Sequence, residues 1–130
     1  MLNTSDQEKM TRHLAENVCQ WQVIEQAGMV SAMDNVGGVW LLCDPVTIYG
    51  IPQFDPFHDA SHCEMCVEAA RVLGYRPWML CHADNLWEVK MHKAEGTTLS
   101  YAIAQSESPS RLVAVCEAIA RATGWPGGEK

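Results

Sequence analysis

The sequence predicts an α+β fold in which three helices pack on one or both faces of an antiparallel sheet of about five strands. Two observations lead to this class. Apolar residues recur at helical spacing in three separate stretches, and between those stretches they alternate with polar residues, as in half-buried strands. Because a helix must bury its apolar stripe and a sheet offers two faces, the helices are expected to pack on the sheet.

The first helix is predicted to begin with an N-cap at Ser5, with Glu8 reaching back to complete a capping box. The apolar positions that follow recur every four residues: Met10, Leu14 and Val18. This helix is therefore expected to run to about residue 19. Two strands are expected to follow, at residues 21–26 and 39–43.

The second helix is predicted to follow the loop at residues 54–58, with Asp59 or Ser61 as its N-cap and Gly74 as its left-handed C-terminal cap. The third is predicted to have Ser108 as its N-cap and to end at Gly124. Pro109 would then occupy the first helical position, where its fixed φ suits a helix.

An antiparallel meander is predicted between these two helices, at residues 78–83, 86–93 and 97–105. The residues expected to face the core are the alternating apolar ones: Trp87, Val89 and Met91 in the second strand, and Leu99, Tyr101 and Ile103 in the third. The predicted element order is α-β-β-α-β-β-β-α.

Size and charge limit the function. A chain of 130 residues has the size of one domain and can fold without metals or disulfides. We expect one domain over residues 1–124 and a flexible tail over residues 125–130. With 16 acidic and 9 basic residues the formal net charge is −7, which disfavours direct nucleic-acid binding and suits a basic protein partner. No targeting or membrane segment is seen in the sequence, so a cytoplasmic protein with free thiols is expected.

Several short segments, in the right order along the chain, resemble the small phage proteins of the ABA sandwich domain family. These segments are residues 14–21, Phe54-Asp55-Pro56 leading to Asp59, Trp87-Glu88-Val89, and residues 104–109 leading into residues 112–118. The resemblance implies a three-layer α/β/α sandwich encoded by a phage or prophage and acting in the host cytoplasm. It carries no catalytic residues to this chain.

A metal site is one alternative, because His62, Cys63 and Cys66 share one face of the second helix and His58 lies one turn upstream. The competing interpretation is two buried cysteines and two exposed histidines. Cys63 and Cys66 also form a Cys-x-x-Cys pattern, but without the strand and loop of a thioredoxin-like site. Adjacent Cys81 and His82 cannot face each other across a reacting atom, which disfavours a cysteine hydrolase.

Aromatic residues in the loops and the tail suit protein contact, and the candidates are Tyr49, Phe54, Phe57 and Trp125. We therefore predict a non-enzymatic phage or prophage accessory protein that binds a host or phage protein, with anti-defence inhibition as one form of this role. Pairing of edge strands makes a homodimer one expectation. The alternative is a small zinc-binding protein that uses His58, His62, Cys63 and Cys66.

Overall fold

The structure is a computed structural model that describes residues 4–26, 29–42 and 51–125. Its helices are α1 (Thr4–His13), a π-helical segment (Leu14–Val18), α2 (Ala60–Val72) and α3 (Arg111–Ala122). Its strands are β1 (Gln22–Gln26), β2 (Met29–Met33), β3 (Val39–Leu41), β4 (Tyr75–Cys81), β5 (Trp87–Glu95), β6 (Thr98–Leu99) and β7 (Ala104–Ser108). The predicted α+β class and its three α-helices are confirmed. Among the described helices, none is long and apolar enough to cross a membrane.

The strands form two antiparallel sheets, whereas the sequence predicted one sheet of about five strands. The first sheet has the order β1-β2-β3. In the second sheet β4, β6 and β7 each pair antiparallel with β5. Strand β2 was not predicted. By pairing with β1 on one side and β3 on the other, it completes a sheet separate from the meander. A three-layer sandwich stays a prediction.

The first helix begins at Thr4, one residue before the predicted N-cap, and its predicted C-terminal part winds as a π-helix. There the Cys19 N–H donates to the Leu14 carbonyl, at 2.9 Å, across five residues. The predicted apolar positions Met10, Leu14 and Val18 are all buried.

Polar caps define the ends of α2 and α3. The Asp59 carboxylate accepts hydrogen bonds from the Ser61 and His62 N–H groups, as the sequence predicted. The predicted N-cap of α3 is wrong by two residues: Ser110 caps it by accepting from the Val113 N–H at 3.3 Å, while Ser108 ends β7. Ser108 instead accepts from the Ser110 N–H at 3.1 Å, so Pro109 lies in the turn before the helix.

The core lies between the helices and one face of the second sheet, and Ala32 of β2 in the first sheet also belongs to it. Val89 and Met91 of β5 are fully buried, as predicted, together with Val115 and Ile119 of α3. The prediction for the next strand is wrong, since Leu99, Tyr101 and Ile103 are 55%, 94% and 47% exposed. The cause is a break in the predicted strand: β6 ends at Leu99 and β7 begins only at Ala104.

Candidate partner-binding surface

The four predicted zinc ligands do not converge. His58 has a 68% exposed side chain whose Nδ1 lies 3.0 Å from Asp55 Oδ1. His62 Nδ1 accepts a hydrogen bond from the Asp55 backbone N–H at 3.0 Å. Cys63 and Cys66 lie in the buried core. The His/Cys site at the start of α2 is therefore not formed, because its side chains point into different surroundings.

The buried thiols pair across elements. Cys63 Sγ lies 3.8 Å from Cys116 Sγ of α3, and Cys66 hydrogen-bonds to Cys19. Burial raises the pKa of Cys116 well above its usual range, and the Cys19 hydrogen bond together with burial does the same for Cys66. The hydrogen bond from Cys116 instead lowers the pKa of Cys63, the first cysteine of the Cys-x-x-Cys pattern. Both sulfurs of the pattern are buried, so this arrangement lacks the accessible thiol of a redox site.

Of the predicted partner-binding aromatics, Phe54 and Phe57 are only 1% and 2% exposed. The reason is a backbone connection: the Phe54 N–H donates to the Leu41 carbonyl at 2.8 Å, which holds the loop against the first sheet. There Phe54 packs 4.8 Å from the Trp21 ring centroid. In this conformation Phe54 and Phe57 therefore present almost no surface to a partner, and their predicted partner contact stays a prediction. Tyr49 lies outside the described residues.

Trp125 does not begin a free tail. Its backbone N–H donates to the Ala120 carbonyl at 2.8 Å, and its ring meets His13 edge-on at 5.7 Å between centroids. The partly buried ring packs against the core, so Trp125 continues the packing of the end of α3. Residues 126–130 of the predicted tail lie outside the described residues.

A cavity of about 200 Å³ lies beside α1, where Glu8 and Thr11 meet Phe57 and the His58–Asp55 pair. Small-molecule sites usually enclose roughly 300 to 1,000 Å³. This cavity is below that range, and its lining beside His58 mixes polar and apolar side chains.

Three exposed apolar side chains follow one another along β4. Trp78, Met79 and Leu80 are 43%, 40% and 43% exposed in consecutive positions. In the described part of the chain β4 pairs with β5 alone, so it is an edge strand. Trp78 and Leu80 lie opposite Lys90 and Glu88 of β5, on the face turned away from Val89 and Met91. We call this the outer face of the second sheet.

The ladder also shows which backbone groups of β4 are free to bind. Ala94 donates to the Gly74 carbonyl at 2.7 Å and His82 donates to the Leu86 carbonyl at 2.9 Å. Because bonded and non-bonded positions alternate in an antiparallel pair, Trp78 and Leu80 bond to β5, whereas Met79 and Cys81 turn their N–H and C=O groups away from it. Pro77, which has no N–H, occupies the preceding outward position, where an edge strand tolerates it.

A polar cluster lies next to Leu80 on the outer face. His82 Nε2 lies 2.8 Å from Glu88 Oε1, and Glu88 lies directly opposite Glu107 of β7. His82, Glu88 and Glu107 each offer one potential metal-ligand atom, and these three atoms all lie within 4.8 Å of one another. No other such group of three is found among residues 4–26, 29–42 and 51–125. The His82 ring thus faces Glu88, while Cys81 Sγ donates a hydrogen bond to the His82 carbonyl at 3.7 Å. This arrangement gives no support to a cysteine hydrolase.

The sequence did not point to the β4 edge as a binding surface. The signal was available, because a consecutive Trp-Met-Leu run without polar alternation at a sheet edge leaves apolar side chains on both faces. Comparisons of the chain with protein-family models, with curated proteins and with solved structures found no match.

Proposed function

We propose that this chain is a non-enzymatic binding protein that holds an extended segment of a partner protein along the outward edge of β4. The observation that carries the proposal is the coincidence of free backbone groups at Met79 and Cys81 with the exposed side chains of Trp78 and Leu80. A partner strand added at such an edge gains affinity from main-chain hydrogen bonds and specificity from alternate side-chain contacts.

Other groups limit where the segment can lie. Arg76 Nη1 donates to the Tyr75 carbonyl at 3.0 Å, and Pro77 offers no donor. The usable edge therefore runs from Met79 to Cys81, beside Glu88 and Glu107. Charge complementarity favours a segment that combines apolar residues with Lys or Arg, since the chain carries a formal net charge of −7.

The resemblance to phage ABA sandwich proteins supplies the setting that we propose: an accessory protein of a phage or prophage, acting on a host or phage protein in the host cytoplasm. Anti-defence inhibition is the form that the acidic charge suits, because a nucleic-acid-targeting system presents basic surfaces that an acidic protein can cover.

The test compares capture of a host or phage protein by the wild type with capture by two variants. Met79→Pro removes an outward N–H while leaving the bonds to β5, as Pro77 already does, and Leu80→Lys places a charge in the apolar patch. We expect both to weaken binding of the purified partner at least about tenfold by calorimetry. Ile24→Lys is the matched control, because Ile24 is 39% exposed on the other sheet.

Equal binding by wild type, Met79→Pro and Leu80→Lys would refute the β4 edge as the binding site. Light scattering of each purified protein tests whether a second copy of this chain binds at the β4 edge instead. A wild-type dimer that the two β4 variants convert to monomers would show that a second copy of this chain fills the edge, which would overturn the proposal of a different partner.

A further inference from the structure

We propose that His82, Glu88 and Glu107 form a binding site for a divalent transition-metal ion, with zinc as the ion to test. The site lies on the outer face of the second sheet, away from the His58, His62, Cys63 and Cys66 positions that the sequence suggested. It needs no partner protein, so it is independent of the proposed function.

The fold gathers the three side chains from three adjoining segments. Glu88 of β5 and Glu107 of β7 are directly paired in the ladder, which places both carboxylates on one face. His82 follows β4 at the tight turn into β5, where Asn85 has a positive φ of 62° and donates its N–H to the His82 carbonyl at 2.9 Å. The turn returns the chain so that the imidazole reaches Glu88.

The charges at this position call for a cation. Like charges directly opposite each other on neighbouring strands destabilise a sheet. The Glu88 side chain is only 13% exposed, so water screens its carboxylate poorly. Its neighbours supply partial compensation: His82 at 2.8 Å, a Gln105 Nε2–H donated to Oε2 at 2.8 Å, and Lys90 Nζ at 3.9 Å. A divalent ion bound between Glu88 and Glu107 would attract both carboxylates and so offset the repulsion between them.

The donor set decides the class of metal. One imidazole nitrogen with two carboxylate oxygens suits zinc and similar first-row ions, which bind such atoms at about 2.0–2.2 Å. The imidazole disfavours magnesium and calcium, which prefer oxygen ligands alone. Three protein ligands leave a fourth tetrahedral position for water or an incoming group.

The side chains can also adjust to a metal. Ligand atoms within 4.8 Å of one another must move closer to share one ion, and the direct His82–Glu88 contact must open. The His82 side chain is 39% exposed, so its ring can turn without disturbing the core. Gln105 holds the second oxygen of Glu88 from outside, as outer hydrogen bonds commonly do for metal-binding carboxylates.

The experiment titrates zinc into the chelator-treated full chain by calorimetry, in a background with Cys43→Ser and Cys81→Ser so that these two thiols do not compete. We expect one ion per chain, with affinity reduced at least about tenfold by His82→Gln and by Glu107→Gln. His58→Gln is the control and should leave affinity unchanged, because His58 belongs to the separate Asp55 pair. Circular dichroism of each variant verifies folding, and Glu107 is exposed enough to be replaced safely.

Cobalt(II) supplies a second readout. Absorption typical of nitrogen and oxygen ligands, without a thiolate charge-transfer band, is expected for His82, Glu88 and Glu107. Absence of saturable binding would overturn the proposal. So would zinc binding that survives Glu107→Gln, or that is lost with His58→Gln, since the ion would then be held elsewhere.

Discussion

Glu117 shows how this protein accommodates a charge inside its core. The residue is 9% exposed on α3, and both of its carboxylate oxygens have partners: Ser106 Oγ donates to Oε1 at 2.9 Å and Arg121 pairs with Oε2. A buried carboxylate is tolerated only when it is hydrogen-bonded and paired. Because Ser106 lies on β7, the hydroxyl also connects the strand to the helix that covers it.

Ser106→Ala removes one of these two partners and leaves Glu117 Oε1 without its donor. We expect the free energy of unfolding to fall by about 1–3 kcal/mol, the usual range for a buried polar group left unsatisfied. Denaturant unfolding followed by tryptophan fluorescence measures the change. Thr98→Ala is the control, since its exposed hydroxyl donates to the Glu95 carbonyl at 3.0 Å, and its effect should stay within about 0.5 kcal/mol. Equal losses in the two variants would contradict this role for Ser106.

The junction between the π-helical segment and β1 carries backbone strain. Gln20 has a φ of 61° and an exposed side chain, and the next residue, Trp21, donates its N–H to the Ala15 carbonyl at 2.8 Å. A side chain in the left-handed region costs free energy that glycine avoids.

Gln20→Gly is therefore expected to stabilise the protein, by about 0.5–1 kcal/mol. Thermal and denaturant unfolding measure the gain. Asn85→Gly is the matched comparison: its φ is 62°, but Asn tolerates the left-handed region, so the gain should be smaller. A loss of stability in Gln20→Gly would show that the side chain contributes more than the strain costs.

The sequence predicted correctly the ends of α2, which are set by a single capping residue and a single position with positive φ. Asp59 and Gly74 bound α2 as expected, because capping and positive φ are properties of single positions. Strand β2 could not be found in this way. Its Met-Val-Ser-Ala-Met sequence has little polar alternation, and it is a strand because β1 and β3 pair with it on both sides.

The proposed metal ligands His82, Glu88 and Glu107 could not be grouped from the sequence, for a related reason. The predicted third strand of the meander ended at residue 105, which left Glu107 in a helix cap region. The observed strand runs from Ala104 to Ser108, and only its register with β5 places Glu107 opposite Glu88. Register depends on how the core face packs, and one misplaced boundary changes every cross-strand neighbour.

Cysteines from three segments of the protein meet in one core. Cys19, Cys63, Cys66 and Cys116 are at most 7% exposed, and the Cys63–Cys116 contact joins α2 to α3. Cys81, at the β4 edge, is the exposed thiol among the described residues. A reagent can therefore reach Cys81 in the folded protein, whereas the four buried thiols require opening of the helices that cover them.

In a Cys43→Ser background, one thiol is expected to react rapidly with a neutral alkylating reagent, and Cys81→Ser should abolish this fast phase. The remaining thiols should react at least about a thousandfold more slowly, since each must await an opening that costs several kcal/mol. Mass spectrometry at increasing denaturant concentration measures the rates, which should rise together with unfolding seen by fluorescence. The sulfur contacts indicate that the core unfolds as one cooperative unit. If Cys63 and Cys66 react before Cys19 and Cys116 at low denaturant, α2 opens separately and this expectation is contradicted.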